Sequence, residues 1–237
     1  MKLEGQRVIV TGASRGLGRA LSEVLAERGA EVVMVARHAG PLEEAAGPLV
    51  ERGYRVHTLA ADVGAADAGA RIAGAASAMA GAIDVVIHNA STLGPTPLQL
   101  LADTRDEDFE EALAVNVLGP FRLTRALAGA MIQRGRGVIV HVSSDAAVEA
   151  YPAWGAYGAS KAALDHLSRT WAEELRGTGV RVFGVDPGEM DTAMHAAAMP
   201  DADRASLARP EAVAEGIVCL LEDEASAPSG SRVKVPS

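Results

Sequence analysis

Short apolar runs rich in β-branched residues alternate along the chain with longer segments rich in alanine, leucine, glutamate and arginine. The apolar runs predict buried strands, and the segments between them predict helices. The predicted strands cover residues 7–10, 31–35, 55–60, 85–88, 137–142 and 181–185, with a possible seventh at 231–235. Glycines mark the expected ends of four helices: Gly29, Gly53, Gly135 and Gly179. The alternation indicates an α/β fold, in which a doubly wound parallel sheet carries helices on both faces.

The chain is expected to form one domain spanning residues 1–237. Its 237 residues are 49% hydrophobic, which is enough for one large core, and no repeat or long polar linker divides the pattern. The least regular region is 189–209, between the sixth strand and the last helix. We interpret it as a mobile lid over a substrate site, the alternative being a surface excursion without function.

The charge balance argues against nucleic acid as a partner. The chain has 22 Lys and Arg against 31 Asp and Glu, a net charge of −9, whereas binding to phosphate backbones needs a basic surface. The first residues contain no apolar signal-peptide core, and the least polar stretch, 72–83, is too short to span a bilayer. A soluble, cytoplasmic protein with no membrane partner is therefore expected.

Cysteine and metal chemistry are not expected. The single cysteine, Cys219, excludes an internal disulfide and a cysteine-based metal cluster, and its apolar neighbours predict a buried position on a helix. No set of His, Asp and Glu has the spacing of metal ligands.

A glycine-rich turn directly follows the first strand and precedes a helix at 19–28. The turn reads Thr11-Gly12-Ala13-Ser14-Arg15-Gly16-Leu17-Gly18. Its glycines allow a sharp bend and a close approach to a pyrophosphate, whose charge the amides and dipole at the helix start would stabilise. No Gly-Lys-Ser/Thr follows, so the turn is not a Walker-type phosphate loop. The order strand, turn, helix predicts a dinucleotide site.

The end of the second strand indicates which dinucleotide binds. An acidic residue there would bind the adenosine ribose, but the chain has Arg37 between Ala36 and His38. Together with Arg15 in the glycine turn, Arg37 favours a 2′-phosphate and hence NADP(H) over NAD(H). The alternative is two solvated arginines that bind no ligand.

Tyr157 and Lys161 are four residues apart on a helix predicted to continue through Leu175, and therefore lie on one face. An ammonium beside a phenol should lower the pKa of the phenol toward neutrality, as a general acid/base requires. An ordinary surface pair is the alternative.

Ser144 stands at the end of the fifth strand, thirteen residues before Tyr157. This is the edge of a parallel sheet at which ligands bind. A hydroxyl group there can stabilise a developing alkoxide while Tyr157 supplies the proton. The neighbouring Ser143 is the alternative.

Taken together, these motifs resemble the short-chain dehydrogenase/reductase family over nearly the whole chain. The resemblance is carried by the glycine turn at 11–18, Asn89-Ala90, Asn116 in Asn-Val-Leu-Gly, Ser144, Tyr157-x3-Lys161 and Pro187-Gly188. It implies a single-domain Rossmann fold and a catalytic tetrad. In that tetrad Tyr157 is the acid/base, Ser144 polarises the substrate oxygen, Lys161 binds the nicotinamide ribose and tunes Tyr157, and Asn116 holds a water of the proton relay.

The same resemblance implies a set of cofactor contacts. Asp62-Val63 would contact the adenine, Asn89-Ala90 would line the cofactor, and Pro187-Gly188 with Met190 and Thr192 would hold the nicotinamide. The full expected contact set is Gly12, Ser14, Arg15, Gly16, Leu17, Gly18, Arg37, Asp62, Val63, Asn89, Ala90, Tyr157, Lys161, Pro187, Gly188, Met190 and Thr192.

Three departures from the family pattern stand out. Ser91 replaces the usual glycine after Asn89-Ala90, Asp186 replaces the usual asparagine before Pro187, and the tail at 229–237 lacks a glycine-rich ending. They leave the chemistry intact but affect substrate and subunit contacts.

Other polar and aromatic residues are assigned smaller roles. His88 and His141 lie in or at the ends of strands, so packing or proximity to the cofactor is expected rather than catalysis. His195 is a candidate substrate contact. Tyr151 and Trp154 are candidates for an apolar wall beside Tyr157.

The sequence therefore predicts an NADP(H)-dependent oxidoreductase that transfers a hydride to or from a small carbonyl or alcohol substrate. Two alternatives remain: an epimerase or dehydratase, whose glycine turn is usually spaced differently, and a non-catalytic NADP(H)-binding regulator or scaffold. By analogy with the family, a homotetramer or homodimer is expected, formed through helices around 103–133 and 157–178 and the last strand.

Overall fold

The computed structural model describes residues 1–235 and contains a seven-stranded sheet in which every pair of neighbouring strands is parallel. The strand order is β3-β2-β1-β4-β5-β6-β7. The strands are β1 (Arg7–Thr11), β2 (Glu31–Ala36), β3 (Val56–Ala60), β4 (Val85–His88), β5 (Gly137–Val142), β6 (Val180–Asp186) and β7 (Arg232–Lys234). All seven predicted strands are present, and the predicted fold class is confirmed.

Helices cover both faces of the sheet. They are α1 (Gly16–Glu27), α2 (Ala39–Glu51), α3 (Ala68–Ala80), α4 (Asp106–Leu113), α5 (Gly119–Arg134), α6 (Gly155–Glu174), α7 (Ala193–Ala198) and α8 (Pro210–Glu222). One apolar cluster joins α1, α2 and α8 to one face, and a second joins α3, α5 and the end of α6 to the other. Because alternate residues of each strand face opposite clusters, the central strands are apolar over most of their length.

The prediction that every strand is buried is wrong at both edges of the sheet. Four of the five residues of β3 are only partly buried and the fifth is exposed, and β7 is likewise partly exposed. An edge strand has a neighbour on one side only, and the helices that cover the sheet protect its centre best.

Cys219 lies on helix α8, as predicted, but its side chain is exposed rather than buried. The two residues on each side belong to the apolar face that packs under the sheet, namely Ile217, Val218, Leu220 and Leu221. Because successive helical residues are rotated by about 100°, Cys219 falls on the other face. Within residues 1–235, no helix is both long enough and apolar enough to cross a bilayer.

Between α4 and α5 the chain forms a single π-helical turn, Ala114–Leu118. The wider turn places Asn116 facing the protein interior, where its side chain is 1% exposed. π-Helical turns inside α-helices are often found at functional sites.

Candidate active site

The site lies at the carboxyl-terminal edge of the sheet, where the strand order reverses between β1 and β4. In doubly wound sheets this reversal opens a crevice, because the chain leaves the neighbouring strands in opposite directions. The glycine turn leaves β1 at this crevice, and the ends of β4, β5 and β6 bring Asn89, Ser144 and Pro187 to the same edge.

The start of α1 is suited to bind an anion. The residue before the helix, Arg15, makes no capping hydrogen bond with its side chain, and no acidic residue lies in the first turn. The first amides of a helix are unpaired donors that carry partial positive charge. They therefore remain available to a phosphate group.

Two glycines keep the turn narrow. A Cβ atom at Gly18 would lie 2.2 Å from the carbonyl oxygen of Gly12, and one at Gly12 would lie 2.8 Å from Cα of Ala90. Only glycine fits at these two positions, which leaves a bare backbone surface facing the crevice. This surface fits the pyrophosphate of a dinucleotide.

Asn89 and Thr11 brace the turn from below. The Asn89 amide group donates to the carbonyl oxygens of Thr11 and Gly12, at 2.9 and 3.3 Å. The Thr11 hydroxyl oxygen accepts from the backbone amides of Asn89 and Ala90, both at 3.0 Å. Asn89 therefore fixes the shape of the turn, a role that the sequence pattern did not indicate.

Arg37 directly follows β2 and is exposed. Its guanidinium group is 4.0 Å from a carboxylate oxygen of Glu111, and both side chains are about half exposed. Arg15 is also exposed. On the far side of β2, Asp62 accepts a hydrogen bond from the amide of Gly64, and Val63 beside it is buried. Both guanidinium groups are therefore exposed at the sheet edge, where an anionic group could reach them.

The remaining residues predicted to contact the cofactor surround the same crevice. Pro187 and Gly188 follow β6, and the Gly188 amide donates to the Asp186 carboxylate at 3.0 Å. Thr192 caps α7 and lies over the glycine turn, because a Cβ atom at Gly16 would be 3.4 Å from its methyl group. Ser14 and Met190 are partly buried, and Leu17 is buried under the turn.

Tyr157 is the buried hydroxyl at the centre of the site. Its side chain is 8% exposed, and its ring packs edge-on against Trp154 at 5.7 Å between centroids. The hydroxyl groups of Ser144 and Ser91 lie close enough to the phenol to favour its ionised form. Ser143 also lines the cavity, and its hydroxyl group faces the carbonyl oxygen of Ser144 at 3.5 Å. Of the two serines, Ser144 is the one that meets Tyr157.

Burial dominates the pKa shifts of both Tyr157 and Lys161. It raises the pKa of Tyr157 to about 12, against the opposing effect of the nearby Ser144 and Ser91 hydroxyl groups, and it lowers the pKa of Lys161 to about 8, with Asp165 opposing. The expected lowering of the Tyr157 pKa by Lys161 is therefore wrong for the cofactor-free protein. The Lys161 ammonium group donates to the carbonyl oxygen of Val142 at 2.8 Å and is 5.6 Å from the phenol ring centroid.

Asn116 connects the π-helical turn to the site. Its amide group donates to the carbonyl oxygen of Thr92 and to the hydroxyl oxygen of Ser160, both at 2.9 Å. Its carbonyl oxygen accepts from the Ser91 hydroxyl at 3.1 Å and from the Thr92 amide at 2.9 Å. Because the Ser91 hydroxyl lies beside the Tyr157 phenol, its hydrogen bond with Asn116 connects the surroundings of the phenol to the π-helical turn.

A cavity of about 250 Å³ opens in front of Tyr157 and Ser144. Its apolar wall includes Tyr151 and Trp154, as expected, and His195 also lines it. The segment 189–209 forms the opposite wall, where Met190 pairs with Ala208 through a short parallel bridge. The other apolar lining residues are Leu93, Met194, Ala198 and Met199.

Behind the site, Arg232 on β7 holds together three elements. Its guanidinium group donates to Asp165 on α6 and Asp186 on β6, both at 3.0 Å, and to the carbonyl oxygen of Ser144 at 2.7 Å. Both carboxylates are 5% exposed. Arg232 thus accounts for the unusual Asp186, because it supplies the positive charge that this buried carboxylate needs.

The two strand histidines pack against each other below the site. The rings of His88 and His141 stack at 5.0 Å, and Nε2 of His88 is 2.9 Å from the Thr124 hydroxyl. Burial, with the charge of Lys161, lowers the pKa of His141 to about 3, and burial lowers that of His88 well below its usual value. Both are therefore neutral packing residues. Within residues 1–235, no group of three His, Cys, Asp or Glu side chains could hold a metal ion.

Known proteins share this architecture. A sequence profile described as short chain dehydrogenase matches residues 6–203. The 3-oxoacyl-(acyl-carrier-protein) reductase FabG of Thermotoga maritima is 32% identical, across 99% of this chain and 98% of its own length. A Shigella flexneri structure in complex with NADP is 27% identical with a TM-score of 0.90, over 99% of this chain and 98% of that one. An NAD+-bound xylitol dehydrogenase is 25% identical with a TM-score of 0.88, over 99% of both chains.

Proposed function

The chain belongs to the short-chain dehydrogenase family, and on that premise we propose that it transfers a hydride between NADP(H) and a carbonyl or alcohol substrate. The observation that carries the proposal is that the Tyr157 phenol and Ser144 line the same apolar cavity, with the ammonium group of the buried Lys161 5.6 Å from the phenol ring centroid. A purely regulatory dinucleotide-binding protein needs no acid/base group at this position.

The residues around the crevice would hold the dinucleotide. The amides of the glycine turn and the start of α1 bind the pyrophosphate, Asp62 and Val63 lie on the adenine side, and Pro187 to Thr192 lie on the nicotinamide side. When bound, the nicotinamide supplies or accepts the hydride. The segment 189–209 closes over this end as a lid, and the whole chain acts as one domain.

Tyr157 supplies the proton. With its pKa near 12, the phenol is protonated at neutral pH and donates to the oxygen of the substrate as negative charge develops there. Ser144 stabilises the same oxygen through its hydroxyl group. The Ser91 hydroxyl beside the phenol, hydrogen-bonded to Asn116, offers a route by which Tyr157 regains a proton.

The direction of the Tyr157 pKa shift predicts opposite pH dependences for the two directions of the reaction. Reduction uses the phenol, which is fully formed below about pH 12, so its rate is expected to vary little between pH 6 and 9 (~10-fold or less). Oxidation uses the phenolate, whose fraction rises about tenfold per pH unit below the pKa, so its rate is expected to rise with pH. Initial rates in both directions across this range test the assignment. A rate of oxidation that falls with pH would contradict it.

The similar structures hold NADP in one case and NAD+ in another, so they favour neither cofactor for this chain. The proposed preference for NADP(H) therefore rests on Arg15 and Arg37. Replacing Arg37 with Ala removes a guanidinium that would pair with the 2′-phosphate. Charged hydrogen bonds contribute about 1.5–3 kcal/mol, so NADPH affinity is expected to fall about 10- to 150-fold while NADH affinity changes little. Titration of both nucleotides measures this.

The matched control is Arg71→Ala, which removes another exposed arginine, on α3, whose ion pair is with Asp67 just before that helix. If the Arg37 variant loses affinity equally for NADPH and NADH, Arg37 does not bind the 2′-phosphate. If wild type binds neither nucleotide, the oxidoreductase proposal fails. A homotetramer or homodimer and a cytoplasmic location remain predictions.

A further inference from the structure

The ionisable groups of the substrate cavity are mostly acidic. Among the described residues that line it, Asp145 and Glu189 are carboxylates, His195, Tyr151 and Tyr157 are the other ionisable groups, and none is a lysine or an arginine. Nε2 of His195 is 3.8 Å from a carboxylate oxygen of Glu189, so a proton on His195 would be balanced by Glu189. Asp145 then remains as a negative charge with no cation beside it in the cavity.

Asp145 is held rigidly at the reacting end. One oxygen accepts from the Ala146 amide at 2.8 Å and from the Ser144 hydroxyl at 3.0 Å, and the other accepts from the Tyr151 hydroxyl at 3.0 Å. These donors are neutral, so they fix the carboxylate without cancelling its charge. They also tie it directly to Ser144, which meets Tyr157.

Such a cavity disfavours anions. A carboxylate, phosphate or sulfonate group entering it would leave water and meet a fixed negative charge, with no guanidinium or ammonium group to pair with. The reductase from Thermotoga maritima is named for a substrate on acyl carrier protein, but nothing in this cavity matches an anionic carrier.

The same walls suit a cation on an apolar body. The rings of Tyr151 and Trp154 meet edge to face at 6.4 Å, next to the Asp145 carboxylate. Aromatic faces beside a carboxylate attract ammonium groups through the ring quadrupole and the charge. Three methionines, Met190, Met194 and Met199, supply an adaptable apolar wall opposite.

Resting on the proposed function, we propose that the substrate is a small apolar ketone or aldehyde that carries an ammonium group, with Asp145 as the residue that selects its charge. Neutral carbonyl compounds of the same shape are accepted less well. Anionic ones are rejected.

Three ketones of similar shape test this: 4-(aminomethyl)acetophenone, 4-ethylacetophenone and 4-acetylbenzoate, each assayed with NADPH at pH 7. We expect kcat/KM to be highest for the ammonium compound, lower for the neutral one and lowest for the carboxylate. The ratio of the first value to the last is expected to be at least a hundred. Asp145→Asn keeps the size of the side chain and removes its charge, and is expected to reduce that ratio at least tenfold. Glu43→Gln, which removes an exposed carboxylate on α2, outside the cavity lining, should leave the ratio unchanged.

Two results overturn the inference: 4-acetylbenzoate as the best of the three substrates, or a ratio that is the same in wild type and in Asp145→Asn. If NADPH binds but no ketone is reduced, the hydride-transfer proposal fails separately. In that case the charge selection is tested by binding alone. The affinity of each ketone for the NADPH complex is measured through the fluorescence of Trp154 and Trp171. The same order supports the charge selection, whereas a reversed order, equal affinities or no binding overturns it.

Discussion

Replacing Tyr157 with Phe is expected to lower the rate of carbonyl reduction about 10²- to 10⁴-fold, the usual contribution of a general acid. The ring can still pack against Trp154, so only the hydroxyl group is lost, and the affinity for NADPH should change less than about threefold. The substitution is therefore expected to lower kcat and to leave cofactor binding nearly unchanged. Oxidation of NADPH in the presence of a reducible ketone, together with a nucleotide titration, measures both quantities.

Tyr54→Phe is the matched control. It removes a phenol hydroxyl that bonds with Arg52 on the surface, on the opposite side of the fold from the cavity residues. A Tyr157→Phe variant that keeps more than a tenth of the wild-type rate would mean that another group supplies the proton. Ser91, whose hydroxyl lies beside the phenol, would be the next candidate.

Replacing Arg232 with Met is expected to lower the free energy of unfolding by about 3–5 kcal/mol, because removing one member of a buried charge pair leaves its partners uncompensated. Asp165 and Asp186 would both lose their counter-charge, and the carbonyl oxygen of Ser144 would lose a donor. Urea denaturation followed by circular dichroism measures the change.

A second substitution separates charge from packing. Asp186→Asn in the Arg232→Met background removes one uncompensated carboxylate and restores the amide that the family usually has, so part of the stability should return. Arg71→Met is the surface control, since its exposed pair with Asp67 should contribute no more than about 1 kcal/mol. If Arg232→Met costs no more than this control, the Arg232 network does not stabilise the fold.

The sheet could be predicted from sequence because a parallel strand buried on both faces produces a continuous apolar run, such as Val8 to Val10. The Tyr157 and Ser144 positions could also be predicted, since each depends on local spacing and on the edge where a strand ends. The signals for these features lie within a few residues of each other, so no tertiary contact has to be known in advance.

Other features depend on contacts between distant segments and were missed. Arg232 and Asp186 are 46 residues apart, and only the pairing of β6 with β7 brings them together. The high pKa of Tyr157 is a consequence of burial, which the local motif does not reveal. Ser91 departs from the family glycine, and this departure was the one available signal that it joins the site.

The position of Arg232 near the end of the chain affects when the surrounding structure can fold during synthesis. Asp165 and Asp186 are synthesised 67 and 46 residues before the guanidinium group that neutralises them. On the ribosome, the nascent chain therefore carries two carboxylates that resist burial until β7 has been translated and has docked beside β6. A chain interrupted before β7 would lack the guanidinium group that pairs with both carboxylates beside the reactive end.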